Sequence, residues 1–143
     1  MIVVLREVEP ADLPVLFEHQ SDPDATAMAG FPAREWAAFT AHWERILADP
    51  GVLARAVVAD GRPAGNVVSF EREGRREVGY WIGREFWSAG VATAALAAFL
   101  DLETARPLYA GVARWNAGSL RVLEKCGFAV CGEAGDEMTL RLD

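Results

Sequence analysis

The chain has 143 residues, of which 52% are hydrophobic, and this size and composition suit one domain over residues 1–143 with a substantial core. A formal net charge of −7 disfavours nonspecific nucleic-acid binding, because such binding neutralises phosphates with clustered Lys and Arg side chains. The longest apolar run, 89–100, is shorter than the roughly 20 residues that cross a bilayer, so we expect no membrane segment.

The first third of the chain predicts one strand and two helices. Residues 2–7 read as a strand, and they lack the cationic lead and long apolar stretch of a signal peptide, so we expect a cytoplasmic protein. Apolar residues recur at helical spacing over 10–20 and again over 33–48, where they form an aromatic face. The intervening residues 21–32 have no period, which predicts a loop, and its length indicates a functional role.

Three β-like runs follow, at 52–58, 64–70 and 77–82. The first two are separated by Asp60-Gly61, and an Asp-Gly pair between alternating apolar segments is a strong hairpin signal. A second glycine turn leads into the third run. We therefore expect a three-stranded antiparallel meander.

The remaining elements alternate between helices and strands. They are a helix at 90–104, a strand at 107–113, a helix from Asn116 to Gly127, and strands at 128–132 and 137–142. The complete order, β-α-α-β-β-β-α-β-α-β-β, predicts an α/β fold of the α+β kind, with a mixed and mostly antiparallel central sheet flanked by helices. Only the two strands on either side of the 90–104 helix need a parallel crossover connection.

The turn Ser88-Ala89-Gly90 joins the meander to the following helix. A strand that leads through a turn into a helix directs several unpaired backbone N–H groups, and the positive end of the helix dipole, at one point. The turn therefore predicts an anion site, suited to a phosphorylated cofactor. The alternative is an ordinary strand-to-helix turn, in which Gly and Ser are also common.

The few cysteines and histidines do not form a metal-binding pattern. Cys126 and Cys131 lack the spacing of a zinc or disulfide motif, so we expect both to be core thiols. His19 and His42 are far from each other and from any Cys cluster, and we expect them on helix surfaces. The sequence therefore predicts no metal site.

Two segments carry a resemblance to a known family. Phe86-Trp-Ser-Ala-Gly-Val-Ala-Thr93 is similar to an aromatic-Trp-Gly-basic-Gly-x-Ala-Thr acetyl-CoA motif. Asn116-Ala-Gly-Ser-Leu-Arg-Val-Leu-Glu-Lys-Cys-Gly-Phe128 is similar to an Asn-x-x-Ser/Ala…Glu-Lys-x-Gly-Phe signature. With the order of elements, these motifs resemble the GNAT superfamily of N-acetyltransferases, in its RimJ/RimL-like branch. The resemblance implies the GNAT fold and acetyl-CoA (coenzyme A) as cofactor.

The resemblance also implies which residues bind the cofactor. Backbone N–H groups cradle its pyrophosphate, and they belong to Ser88, Ala89, Gly90, Val91, Ala92 and Thr93. Relatives carry Lys or Arg where this chain has Ala89, and we expect Arg84 to replace that phosphate contact in part. Asn116 reaches the pantetheine arm, besides being a preferred helix N-cap whose third helical residue is Ser119.

The resemblance assigns the oxyanion of the reaction to the strand backbone at Tyr80, Trp81 and Ile82. Most of the superfamily has a general-acid Tyr seven residues after the Asn, where this chain has Leu123. This leaves Ser119 to protonate or hydrogen-bond the leaving thiolate. Glu77 stands where some relatives carry a glutamate that removes the amine proton, and an exposed polar residue beside two arginines is the alternative for it.

The implied function is acetyl transfer from acetyl-CoA to a primary amine, by direct attack in a ternary complex and without a covalent enzyme intermediate. Protein N-termini, aminoglycosides, polyamines and amino acids all stay open as acceptors, and relatives are often homodimers. Trp36, Phe39 and Trp43 have the spacing of core residues, although in this fold they border the acceptor cleft. Ala89 and Leu123 favour the alternative function, a catalytically weak or inactive module that binds acyl-CoA.

Overall fold

A computed structural model describes residues 1–143. The strands are β1 (Val3–Arg6), β2 (Leu53–Ala59), β3 (Arg62–Arg72), β4 (Arg75–Ile82), β5 (Leu108–Ala113), β6 (Ala129–Ala134) and β7 (Glu137–Leu142). The helices are α1 (Leu13–Ser21), α2 (Pro23–Ala29), α3 (Trp36–Ala48), α4 (Val91–Leu102) and α5 (Ala117–Lys125). Single 3-10 turns occupy Pro10–Asp12 and Arg84–Phe86. No helix has both the length and the apolar character that crossing a membrane requires.

All seven strands belong to one sheet, in the order β1-β2-β3-β4-β5-β7-β6. Every neighbouring pair is antiparallel except β4 and β5, which are parallel and connected through α4. The predicted mixed sheet with one parallel crossover pair is confirmed.

The core lies on both faces of the sheet. Successive residues of a strand point to opposite faces, and Val67 and Val68 of β3 accordingly pack into two different clusters. The larger cluster joins the sheet to α4 through Leu96 and Phe99, both fully buried. The smaller one covers the other face with α1 and α3. Its centre is formed by Leu16, Phe39 and Trp43.

Both turns of the meander have the backbone that their sequences predict. Asp60 and Gly61 have φ angles of 48° and 78°, and Glu73 and Gly74 have 52° and 77°. Two consecutive residues with positive φ match the right-handed twist of a hairpin. The predicted meander of β2, β3 and β4 is confirmed.

The prediction of a loop over 21–32 is wrong, because α2 lies within it. This helix has only seven residues, too few for a clear apolar period. Its signals are local: the Asp22 side chain accepts a hydrogen bond from the Asp24 N–H at 3.0 Å, and Pro23 occupies the first turn. Gly30, with a φ of 80°, ends it in the left-handed conformation.

Two other side chains differ from their predicted surroundings. Cys131 is exposed and therefore not a core thiol, because it lies on β6, an edge strand whose residues are all exposed. His19 is half-buried and not on the helix surface. Its imidazole lies against the backbone of Gly83, its Nδ1 is buried without a partner, and burial lowers its pKa.

Candidate functional site

The site begins where β4 and β5 separate. The two strands are paired only at Arg76 with Leu108 and at Glu77 with Tyr109, whereas β4 stays paired with β3 as far as Ile82. Backbone groups of β4 that face β5 beyond this point have no strand partner, and all but the Ile82 carbonyl, which accepts from Trp87 Nε1 at 2.8 Å, are free to bind a ligand. Two cavities extend from this opening.

The larger cavity has a volume of about 560 Å³ and lies against the N-terminus of α4. Its wall is formed by α2, the end of β4, the turn that follows β4, and one face of α5. Of the predicted cofactor residues, it is lined by Tyr80, Trp81, Ile82, Ser88, Gly90, Val91, Ala92, Thr93, Asn116 and Ser119.

The turn before α4 has the geometry of an anion site. Ser88 and Gly90 have φ angles of 61° and 78°, and no side chain caps α4. The first intrahelical bond runs from Ala94 N–H to Gly90, so the N–H groups of Val91, Ala92 and Thr93 have no helical acceptor. The positive end of the helix dipole adds to this attraction for an anion at the cavity wall.

Two basic residues that we did not predict also line the larger cavity. Arg121 and Lys125 lie four residues apart on α5, on one helix face, and neither is in an ion pair. Their position within the Asn116–Phe128 motif could have indicated from the sequence that they lie near the cofactor site. They supply positive charge in a cavity whose turn has Ala89 in place of a basic residue.

Arg84 and Ala89 do not line either cavity. The Arg84 guanidinium is ion-paired with Asp22, at 3.0 Å from Nε, and with Asp24. These pairs fasten the turn after β4 to the start of α2. The expected contact of Arg84 with the cofactor stays a prediction, and in this structure its charge is paired with two carboxylates.

The smaller cavity, of about 360 Å³, opens on the other side of the same gap. It lies between β4, β5, the start of β7 and the segment after α2, and aromatic side chains form much of its wall: Phe31, Tyr80, Trp81 and Trp115. Trp115 Nε1 donates to the Ala27 carbonyl at 3.1 Å, which fixes α2 to the β5–α5 connection. The predicted border residues Trp36, Phe39 and Trp43 are not part of this wall.

Two carboxylates that the sequence did not bring to notice line the smaller cavity. Glu137, at the start of β7, has no ion-pair or hydrogen-bond partner for its side chain, and its carboxyl group lies over Gly111 of β5. Neighbouring Asp136 also lines the cavity, at 4.0 Å from Arg114 Nε. An unpaired carboxylate beside aromatic walls suits a positively charged ligand.

The two cavities meet at a small group of shared residues. They are Ala29, Tyr80, Trp81, Asn116 and Ser119. Within this group the Tyr80 hydroxyl lies 2.6 Å from Ser119 Oγ, and the Asn116 side chain accepts a hydrogen bond from the Ser119 N–H at 3.2 Å. The predicted N-cap role of Asn116 is confirmed. Ser119 is therefore the hydroxyl held between the two cavities.

Glu77 lines neither cavity. It lies where β4 and β5 are still paired, and its Oε2 accepts from Arg72 Nε at 2.9 Å. Leu123, at the position of the absent tyrosine, is buried and lines the smaller cavity.

Comparison with known proteins gives one family. A sequence profile described as an acetyltransferase (GNAT) domain matches residues 3–129. This range contains β4, β5, the turn before α4 and all of α5, but not β7. No curated protein matches the chain in sequence.

Solved structures share the fold at low sequence identity. A spermidine N-acetyltransferase from Vibrio cholerae, in complex with CoA and spermine, is 18% identical, with a TM-score of 0.80 over 97% of this chain and 92% of that one. A GNAT-family acetyltransferase from Bacillus anthracis is 19% identical, with a TM-score of 0.82 over 99% of this chain and 95% of that one. The aminoglycoside acetyltransferase AAC(6')-Ib, in complex with coenzyme A, is 19% identical, with a TM-score of 0.79 over 96% of this chain and 94% of that one.

Proposed function

The chain belongs to the GNAT acetyltransferase family, and we propose from this premise that residues 1–143 form a RimJ/RimL-like domain that transfers the acetyl group of acetyl-CoA to a primary amine by direct attack in a ternary complex. The observation that carries the proposal is the meeting of two chemically different cavities at Ser119. The larger one has an anion site and two free basic residues, and the smaller one has an unpaired carboxylate.

The larger cavity is proposed to hold acetyl-CoA, which supplies the acetyl group as a thioester. The free N–H groups of Val91, Ala92 and Thr93 suit a pyrophosphate, because backbone donors at a helix N-terminus bind phosphate oxygens. Arg121 and Lys125 of α5 are proposed to add charge-assisted contacts to phosphate groups. The residues present thus fit a phosphorylated cofactor.

Ser119 is proposed to assist the departure of the sulfur. The amine nitrogen forms a bond to the acetyl carbon, the carbon–sulfur bond breaks, and its electron pair stays on sulfur as a thiolate. A thiol of pKa about 8.5 gives a tolerable leaving group near neutral pH, so a hydrogen bond from a hydroxyl is sufficient help. The Ile82 N–H lies on the side of β4 that faces the gap with β5 and is proposed to stabilise the oxyanion, whereas the Trp81 backbone pairs with Asn66 of β3.

Glu137 is proposed to bind the acceptor and to accept its proton. An alkylammonium with a pKa near 10.4 is protonated at pH 7, and an unpaired carboxylate attracts that cation into the smaller cavity. The bound ammonium first loses one proton to solvent, because only the neutral amine has a lone pair with which to attack the acetyl carbon. Once the nitrogen–carbon bond has formed, the positively charged nitrogen is far more acidic than a free ammonium, and its second proton passes to Glu137. Glu77 remains the alternative base that the family resemblance implies, at a greater distance from the cavities.

The acceptor is proposed to be a primary amine with a positive charge. The carboxylates and aromatic side chains of the smaller cavity support this class, since a cation is stabilised by both. Two of the solved structures with this fold agree with this class. One is a spermidine N-acetyltransferase with bound spermine, and the other is an aminoglycoside acetyltransferase. A peptide with a free N-terminus has the same chemistry at its amine.

A thiol-release assay with acetyl-CoA and a panel of polyamines, aminoglycosides, amino acids and short peptides tests the proposal. We expect amine-dependent thiol release, reduced about tenfold by Ser119→Ala, which corresponds to about 1.4 kcal/mol in the transition state. A folded protein that binds CoA and releases thiol with none of these amines would support the rival function, a module that binds acyl-CoA without turnover.

A further inference from the structure

The phenol of Tyr80 lies at the junction of the two cavities, and the family resemblance gives a role only to its backbone. Its oxygen is 2.6 Å from Ser119 Oγ and 3.3 Å from the Ser119 carbonyl. The side chain crosses from β4 to α5 and lines both cavities. A tyrosine that only packed against the helix would not need its hydroxyl at this point.

The direction of this hydrogen bond decides what Ser119 can do. A serine hydroxyl has one proton to donate and two lone pairs to accept with. When the Tyr80 O–H donates to Ser119 Oγ, the serine keeps its own proton for another acceptor. A serine that instead donates to Tyr80 has none left for a sulfur atom.

Chemistry and distance favour the first direction: a phenol is a better donor and a poorer acceptor than an aliphatic hydroxyl, and its oxygen lies closer to Ser119 Oγ, at 2.6 Å, than to the Ser119 carbonyl, at 3.3 Å. Burial raises the pKa of Tyr80 to about 12, although the bond with Ser119 opposes this rise. The phenol therefore stays protonated, and remains a donor, throughout the neutral and mildly alkaline range. It is also a weaker acid than a thiol of pKa about 8.5, so a net proton transfer from Tyr80 to the leaving thiolate is unfavourable.

We infer that Tyr80 is a positioning residue, whose phenol O–H donates to Ser119 Oγ and so directs the Ser119 proton at the sulfur of the leaving thiolate. This role rests on the proposed function, and it supports Ser119, which acts where relatives use the general-acid tyrosine that is absent at Leu123. No bond to Tyr80 forms or breaks. When the carbon–sulfur bond breaks, its electron pair goes to sulfur, where the oriented Ser119 hydroxyl stabilises it by a hydrogen bond.

A double-mutant cycle tests the inference. We expect Tyr80→Phe to lower kcat about tenfold, which is about 1.4 kcal/mol, with the KM for acetyl-CoA unchanged within about twofold. In the Ser119→Ala background the same change should cost less than about twofold, because the group that Tyr80 positions is absent. Equal losses in the two backgrounds would overturn the inference. Tyr109→Phe is the matched control, since this phenol lines neither cavity.

Fluorine NMR tests the Tyr80–Ser119 hydrogen bond directly, because it needs neither enzyme turnover nor the Tyr80→Phe variant. The chain has two tyrosines, so in the Tyr109→Phe variant a 3-fluorotyrosine label reports on Tyr80 alone. We expect its fluorine resonance to shift when Ser119 is replaced by Ala, with CoA present. An unchanged resonance would overturn the hydrogen bond itself. If thiol release is absent but the resonance shifts, the proposed function fails while the Tyr80–Ser119 bond stands.

Discussion

The Glu137 carboxylate occupies space that the missing side chain of Gly111 leaves open. A Cβ added at Gly111 would lie 3.1 Å from the carboxyl carbon and 3.2 and 3.3 Å from its two oxygens. Glycine in β5 thus lets an exposed carboxylate from β7 line the smaller cavity. The absence of a side chain at Gly111 of β5 therefore helps to position Glu137 of β7, the residue that we propose binds the acceptor amine.

Gly111→Ala should therefore displace Glu137. The contact is closer than ordinary van der Waals packing, and the flexible Glu137 side chain is the part that moves. We expect the KM for the amine to rise about fivefold, or about 1 kcal/mol, with little change in the KM for acetyl-CoA. Steady-state kinetics check this. Gly132→Ala is the control, because nothing lies within 4 Å of its Cβ position, and equal effects of the two variants would refute the explanation.

Arg121 lines the larger cavity, which we propose holds the cofactor, whereas Arg84, which was expected to contact the cofactor, does not line it. Arg121→Ala should weaken CoA binding about fivefold, since one charge-assisted phosphate contact at an exposed site is worth about 1 kcal/mol, and added salt should reduce the difference. Arg84→Ala should change the affinity less than twofold, because Arg84 is paired with Asp22 and Asp24. Calorimetric titration with CoA measures both. The reverse ranking would return the phosphate contact to Arg84.

Glu77→Gln distinguishes the two carboxylates proposed for the proton transfer. Glu77 is paired with Arg72 outside the cavities, so we expect kcat/KM for the amine to fall less than threefold and its pH profile to stay unchanged. Glu137→Gln should lower kcat/KM more than tenfold. Rates measured across pH for the two variants provide the comparison, and a larger loss with Glu77→Gln would make Glu77 the base.

The buried carboxylate of Glu103 should make stability depend on pH. Burial alone would raise its pKa, but hydrogen bonds from Ser69 at 2.5 Å and Arg76 at 2.6 Å outweigh burial, and the pKa lies below the ordinary value of 4.5. The unfolded chain then binds this proton more readily than the folded one. The stabilisation is complete above about pH 4.5 and is lost as the pH falls through the lower folded pKa.

Glu103→Gln tests this network, because it leaves the half-buried Arg76 without its charged partner. We expect the free energy of unfolding at pH 7 to fall by about 3 kcal/mol, and the difference from the original protein to shrink below pH 4. Urea unfolding at several pH values measures both effects. Glu71→Gln, at an exposed position of β3 with no ion pair, is the control and should change little.

The parts of the fold with a strong local signal were predictable from the sequence. The Asp60-Gly61 turn, the strand before Ser88 and the helix after Gly90 follow from backbone preferences that act over a few residues. The helix α2 was missed because its seven residues are too few for a period, although Asp22-Pro23 and Gly30 mark its ends.

The site residues that were missed depend on contacts between distant elements. Glu137 reaches the smaller cavity only because β7 pairs with β5, and nothing near it in sequence indicates this. Arg84 precedes the phosphate turn closely, yet its guanidinium is bound by Asp22 and Asp24, some sixty residues earlier. Such pairings are set by tertiary structure, which local patterns do not encode.

A crystal structure with CoA and an amine identified in the thiol-release screen would test the central claim most directly. We predict that the pyrophosphate binds the N–H groups of Val91–Thr93, that the sulfur lies within hydrogen-bond distance of Ser119 Oγ, and that the amine nitrogen contacts the Glu137 carboxylate. CoA bound outside the larger cavity, or a sulfur directed away from Ser119, would contradict the account.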